Sequence, residues 1–397
     1  MAERAAQESI SGATYRFVSI YALAWAGGVV AYTPLLTVLL PQQIVQLAGR
    51  TAGVTWLAWM SLAGALAASL GGVVFGWLSD ITHNRRGWMI AGLVTSCFLL
   101  LLIGQLESFA GLILGIITWQ LSLNMLLGPL SALAADVIPD HAKGLVGGLQ
   151  AFAPGLAALV GTLVTQPGLN LVVPRLSLVA IIIVLCVAPL LVMPLPAASR
   201  PMGTIPATPR RLGRVGRMWI ARLCVQVAEA TLFAYMFFWL SGLDPHIQAH
   251  EIARLFSMVL LFAAPLALAI GRWSDRHDRP IAPLRASALM SALGLFLMAL
   301  SPDGLRAMMA YGLFGLASSV FLALHSAQTL RILPRADRRG RDLGIFNLAN
   351  TVPSLVMPWL AMAFVPTRGF AFLFFMLAGL ALLAAFLLAR GSITSQD

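Results

Sequence analysis

Apolar runs of spanning length, separated by short polar breaks, fill the chain from residue 16 to residue 390. A helix rises about 1.5 Å per residue, so roughly 20 such residues cross a hydrocarbon layer about 30 Å thick. The runs fall at 16–40, 53–79, 87–106, 109–136, 144–166, 172–195, 217–241, 249–273, 283–301, 304–333, 343–365 and 369–390. They are continuously apolar and lack the in-out alternation of an outer-membrane strand. The pattern therefore predicts an all-α membrane protein with twelve transmembrane helices.

Composition agrees: 59% of residues are hydrophobic and only 10% charged, against about 25% charged in soluble domains. Cys97, Cys186 and Cys224 all lie inside apolar runs without CxxC spacing, which indicates neither a disulfide framework nor a zinc site. The net charge of +11 reads first as a topological signal, not as a nucleic-acid footprint. Arg50, Arg175, Arg254, Arg306 and Arg368 fall on one side of the predicted membrane. Most other basic residues, among them Arg85, Arg86, Arg210, Arg211, Arg335, Arg338 and Arg339, fall on the other. This asymmetry predicts that both termini are cytoplasmic in a bacterial-type inner membrane. Residues 1–15 are polar and the first apolar run is long enough to stay in the bilayer, so no cleaved leader is expected.

The chain echoes itself. Gly76-Trp-Leu-Ser-Asp80-Ile-Thr-His-Asn-Arg85-Arg86 is a polar hairpin between two apolar runs, and Gly271-Arg-Trp-Ser-Asp275-Arg276-His-Asp-Arg279 is a second copy. Val30-Ala-Tyr32-Thr is answered by Phe233-Ala-Tyr235-Met. Asp136-Val-Ile-Pro139 is answered by Arg331-Ile-Leu-Pro334. The stretch 196–216, rich in Pro, Thr and Arg, separates six runs from six. The expected organisation is an N-terminal six-helix bundle over 1–195, a cytoplasmic linker over 196–216 and a C-terminal six-helix bundle over 217–397. Two such halves favour a midplane site and alternating access.

These residues resemble the major facilitator superfamily. Its loop between the second and third helices has the pattern Gly-x-Leu-x-Asp-x-x-x-x-Arg-Arg, matched by Gly76, Leu78, Asp80, Arg85 and Arg86 and echoed at Gly271 and Asp275. The stretches from Asp80 to Trp88, Ala228-Glu-Ala-Thr-Leu-Phe and Gly344-Ile-Phe-Asn347-Leu-Ala-Asn350-Thr-Val-Pro353 look like those of the glycoside-pentoside-hexuronide and sucrose-type sugar:cation symporters. The chain departs from that pattern at Gly72, where many melibiose-type members carry a cation-binding Asp.

The hairpin has a physical use of its own. Gly76 is expected to let two helices approach closely. Asp80, Arg85 and Arg86, with Gly271, Asp275 and Arg276 in the second copy, are expected to pair in one conformation and release in another. The alternative is a loop that only orients the chain. Asp136, at the end of the fourth run, is expected to partner the basic loops.

In the seventh run, Arg222, Gln226 and Glu229 recur at i, i+4 and i+7 and so share one helical face. Glu229 lies about 18 Å along the helix from Arg217, near mid-bilayer. A carboxylate there is costly unless protonated, paired or facing water, which makes Glu229 a proton or substrate group, with Arg222 able to oppose its protonation. The same stripe could instead tie this helix to a neighbour. His325, Gln328 and Arg331 form a second stripe, readable as a relay or as a helix contact with Arg331 reaching the interface.

Tyr21, Trp25, Tyr32, Trp119, Gln120, Asn124, Gln150, Tyr235, Asn347 and Asn350 are the predicted cavity lining. Rings stack on the C–H faces of sugars and amides bond their hydroxyls, although an amphiphile would suit the same lining. Trp56, Trp59 and Trp239 complete the candidate lining, although Trp56 and Trp239, near run ends, suit the interfacial belt better. Pro34, Pro154, Pro265, Pro353 and Pro358 are expected to kink spans. No Walker loop, metal cluster or nucleophile-base pair stands out, so no cofactor, metal or enzyme activity is expected. The expected protein is a monomeric inner-membrane transporter of a small-molecule substrate, with the proton as coupling ion and the lipid bilayer as its medium. Proton-coupled symport of a sugar or glycoside leads. A proton-driven carrier of drugs or siderophores, and a non-transporting receptor or assembly factor on the same scaffold, stand as alternatives.

Overall fold

A computed structural model describes residues 12–138, 146, 149–150, 152–166, 172–194, 212–277, 279–332 and 339–389. The helices are α1 (Gly12–Pro34), α2 (Leu40–Ile81), α3 (Arg85–Ile103), α4 (Phe109–Val137), α5 (Ala153–Val164), α6 (Val172–Val192), α7 (Leu212–Leu243), α8 (Ala249–Arg276), α9 (Ala282–Ala299), α10 (Gly304–Ile332) and α11 (Arg339–Ala389). A π-helical turn, Leu35–Leu39, joins α1 to α2 directly behind Pro34, whose missing N–H breaks the regular ladder. No strand occurs among the described residues.

Among the described residues, nine stretches are long and apolar enough to cross a membrane. Two of them, Tyr15–Ile81 and Val352–Ala389, hold two crossings each, because Gly49 (φ 72°) and Gly369 (φ 75°) turn the chain in the left-handed region open to glycine. The twelve-residue α5 is a shorter apolar helix. The protein is an all-α, multi-pass membrane protein.

Several boundaries differ from the sequence reading. Residues 41–52 were expected as a loop, but the helix runs through Pro41-Gln-Gln and breaks only at Gly49, since Gln43 and Ile44 are buried. Pro154 lies in the first turn of α5, a place where the missing N–H costs nothing. α7 begins at Leu212, inside the stretch read as linker, and residues 196–211 of that linker lie outside the described residues.

Contacts group the chain into two compact units, Met1–Leu35 with Leu66–Met202, and Leu36–Ala65 with Gly203–Asp397. In the first, α1 packs on α4, α5 and α6, and α3 packs on α4 and α6. Small residues set the spacing: a Cβ on Gly27 would reach 2.8 Å from Cys186 Cβ, and one on Gly92 would reach 2.4 Å from the Leu126 amide nitrogen. In the second, α7 packs on α10 and α11, α9 on α10 and α11, and α8 on α10. Its core gathers Leu232, Met236, Leu240, Ile252, Leu295, Phe314, Phe374 and Leu377, joined by Val38 from the turn before α2.

Candidate functional site

The polar stripe of α7 meets α10 inside the second unit. Arg222 Nε donates to Gln226 Oε1 at 3.3 Å, the i to i+4 pairing expected of one face. Its NH1 crosses to Ser326 Oγ of α10 at 2.9 Å. Ser326 in turn donates to Leu322 O, so its oxygen has a lone pair left for the guanidinium. One residue back, His325 is fully buried and its Nε2–H donates to the Met218 carbonyl at 2.9 Å. Two neighbouring residues of α10 thus pin the first turns of α7, and Gln328 is buried beside them.

Glu229 stands midway along the Gly216–Leu243 stretch and is half-buried. Arg222 and Tyr311 both lie within its electrostatic reach. Among the described residues no side chain or backbone group hydrogen-bonds its carboxylate. At mid-bilayer depth a carboxylate is costly unless it is protonated, paired or in contact with water.

The first unit uses its polar groups internally. Tyr21 hydrogen-bonds the Gln150 side chain. Asn124 Nδ2 donates to Gln120 O at 2.9 Å, and its Oδ1 lies 3.5 Å from where a Gly72 Cβ would stand. Trp119 is fully buried with its Nε1 unbonded among the described residues, and in the second unit the Tyr235 hydroxyl is in the same state. Trp25 and Tyr32 are half-buried. Trp239 is not an interfacial ring as expected: it is 5% exposed and meets Phe374 edge-on at 4.8 Å. Trp59, exposed, pairs with the exposed Trp359 at 6.1 Å. The side chains of Asp136, Asp275, Arg331, Asn347 and Asn350 lie outside the described residues.

The first hairpin closes on itself. Asp80 pairs with Arg85 at 2.7 Å, and Arg85 also donates to Ser79 Oγ at 3.1 Å. Arg86 donates to the Met193 carbonyl at the end of α6. Asn84 caps α3 by accepting from Gly87 N at 2.9 Å. The expected close approach at Gly76 is made differently: a Cβ there would meet nothing within 4 Å, whereas one on Gly128 of α4 would lie 3.1 Å from Gly76 N and Gly72 O. In the second copy, Ser274 donates to Arg279 O at 3.1 Å, and Trp273 stacks on His277 at 4.8 Å. A Cβ on Gly271 would reach only ordinary contact with Leu324, at 3.5 Å.

Asp80 is 58% exposed, and exposed ion pairs contribute only about 0–1 kcal/mol. Asp80→Asn should therefore insert normally and shift the melting temperature little. If the pair serves as a latch, transport by the variant falls several-fold; unaltered transport would leave the hairpin only an orienting role.

Residues 218–393 match the family model of the Major Facilitator Superfamily. Solved structures match over nearly the whole chain. A bacterial homologue of the human lysosomal transporter Spinster, inward-facing and occupied, aligns with TM-score 0.74 at 14% identity, covering 97% of this chain and 98% of that one. The D-xylose-proton symporter aligns with TM-score 0.70 at 15% identity, covering 93% and 96%. The nucleoside transporter NupG aligns with TM-score 0.68 at 15% identity, covering 94% and 99%.

The chain has the major facilitator fold.

No curated protein sequence matches it. The family model and these neighbours are those of transporters, not enzymes, and the neighbours carry different solutes on one major facilitator scaffold. Sequence reasoning found Arg222, Gln226 and Glu229 by their spacing. It missed Ser326 and Tyr311, because a lone hydroxyl inside an apolar run has no signature until a neighbouring helix is placed against it.

Proposed function

We propose that the chain is a secondary transporter that moves a small organic solute by alternating access, coupled to protons through Glu229. The observation that carries this reading is the position of Glu229: mid-span, half-buried, and without a hydrogen-bond partner among the described residues. A carboxylate that no hydrogen bond engages among the described residues is available to a proton or a solute, whereas one that ties helices together is bonded to them. Arg222 shares the α7 face with Glu229 and bonds Ser326 of α10, so a shift of α7 against α10 that frees the guanidinium would change the charge Glu229 faces. His325, whose ring nitrogen is held by the Met218 carbonyl, serves this reading better as a helix clasp than as a relay. The asymmetry of basic loops supports an inner-membrane protein with both termini cytoplasmic.

The sugar-symport form of this reading draws on the resemblance to the sugar:cation symporters and on a lining of rings and amides. Of that lining, Gln150 and Asn124 are engaged in bonds within the fold, and Trp119 and Tyr235 are buried.

The reading is tested in proteoliposomes enclosing a pH-sensitive dye, challenged with sugars, organic acids, amines and siderophores. A transported solute moves protons only when the protein is present. Absence of any solute flux, with correctly folded protein, would favour a receptor or assembly role on the same scaffold.

A further inference from the structure

The two hairpins treat their arginines differently. In the first, the buried Ser79 accepts from Arg85 at 3.1 Å, Asp80 pairs with the same guanidinium at 2.7 Å, and Arg86 is bonded to the Met193 carbonyl. In the second, the serine at the same place, Ser274, is also buried but serves the backbone. Its Oγ donates to Arg279 O at 3.1 Å, and its own carbonyl accepts from Arg279 N at 3.1 Å. These two bonds fix the turn and leave the Arg279 side chain exposed. Arg272, Arg276 and Arg285 are exposed as well, and among the described residues none of the four guanidinium groups has a hydrogen bond or ion pair. Four arginines against Asp275 and Asp278, whose side chains lie outside the described residues, leave the stretch 271–285 with an excess of positive charge.

The place of these arginines on their helices decides what they meet. Arg272 and Arg276 end the exposed face of α8 that carries Leu261 and Leu268, and Arg285 begins the exposed face of α9 that carries Leu289 and Phe296. In a chain that crosses a bilayer, exposed apolar faces of spanning helices meet lipid tails. Arg272 lies about 6 Å beyond Leu268 along α8, where tails give way to headgroups. Trp273, exposed and stacked on His277 at 4.8 Å, is a ring of the kind enriched at that depth.

A lipid phosphate matches this arrangement in charge and in shape. A guanidinium presents paired N–H donors to two phosphate oxygens, and arginine clusters beside a spanning helix attract anionic headgroups. The acyl chains of the same molecule then lie along the leucine stripes. A zwitterionic headgroup brings its own ammonium against the arginines, and a soluble phosphate makes no use of the stripes.

We propose that the second hairpin, through Arg272, Arg276, Arg279 and Arg285, holds the phosphate of an anionic phospholipid in the leaflet at that end of α8 and α9. The first hairpin, whose Arg85 and Arg86 are already bonded within the fold, does not. One copy of the repeat closes on itself and the other takes a lipid. This site stands apart from Glu229 and from the identity of the solute.

The test uses purified full-length protein in a neutral detergent, titrated with dioleoylphosphatidylglycerol, dioleoylphosphatidylcholine or inorganic phosphate. Melting temperature and the lipids retained in native mass spectra are the readouts. Phosphatidylglycerol is expected to raise the melting temperature at concentrations where phosphatidylcholine and inorganic phosphate leave it unchanged, and to do so less as salt rises. Arg272→Gln with Arg276→Gln should raise its half-saturating concentration about ten-fold. Lysine at both positions keeps the charge, should weaken binding less, and provides the readout if the glutamine variant folds poorly. Arg254→Gln, at the opposite end of α8, should bind as the wild type does. Equal stabilisation by both lipids, an equal effect of inorganic phosphate, or equal losses in the Arg254 and the Arg272/Arg276 variants would overturn the proposal.

Discussion

Glu229→Gln is expected to keep solute exchange down a gradient and to lose accumulation driven by a pH gradient. Glutamine has the shape of a protonated glutamate but can neither take up nor release a proton. One proton moved per turnover across one pH unit supports about ten-fold accumulation, since one unit is about 1.4 kcal/mol; the variant should fall to a ratio near one. Stability gives an independent readout. A glutamate bonded across helices would take stability with it when replaced, typically about 3–5 kcal/mol for a broken buried pair. Glu229 has no such bond among the described residues, and a neutral amide replaces a charge held at mid-span, so the melting temperature should stay level or rise. Counterflow without accumulation, in a protein that melts normally, is the signature. A variant that still accumulates solute with an unchanged pH profile would remove the carrier role, and a variant that merely unfolds early would point to a structural stripe.

The spans were legible because bilayer thickness imposes a length and an apolar content that no tertiary detail overrides. Their ends were less so. Pro41-Gln-Gln reads as a loop by composition, yet Gln43 and Ile44 are buried and the helix continues to Gly49, where only the backbone turns. The α7 stripe was legible for the same reason as the spans, since a 3.6-residue period places Arg222, Gln226 and Glu229 on one face. What surrounds the stripe was not. Phe256 and Tyr311 sit in apolar runs where aromatic residues are unremarkable, and their convergence depends on how α8 and α10 approach, which Gly315 decides through a missing atom. Trp239 shows the converse: its place near a span end suggested the interface, and Phe374 of α11 buries it.

Gly92→Leu is expected to abolish the folded protein, because the glycine sits where α3 crosses α4 with backbone against backbone. A Cβ at Gly92 would lie 2.4 Å from Leu126 N and 2.7 Å from Met125 C, distances that no side-chain rotation relieves. Alanine alone should cost about 1–3 kcal/mol by overpacking, and the branched leucine would push the helices apart, where close approach of small residues supplies most of their attraction. The corresponding pair in the second unit, α9 on α10, crosses at Gly294, where a Cβ would stand 2.7 Å from Phe314 N. Gly294→Leu should be as severe. Gly312, on α10 close by, separates this cause from a general intolerance of side chains at helix glycines. A Cβ there meets nothing within 4 Å, so Gly312→Ala should be neutral or add up to about 1 kcal/mol by restricting the unfolded chain. Melting temperature in detergent, with monodispersity by size exclusion, reads all three. Equal loss at Gly312 and Gly92 would mean that helix crossing is not what glycine serves here. Counted from the paired hairpins at Gly76 and Gly271, the residue matching Gly92 is Ser287, two turns before Gly294. The internal repeat therefore preserves the helix pair and its reliance on a glycine, while the point of crossing has moved along the helix.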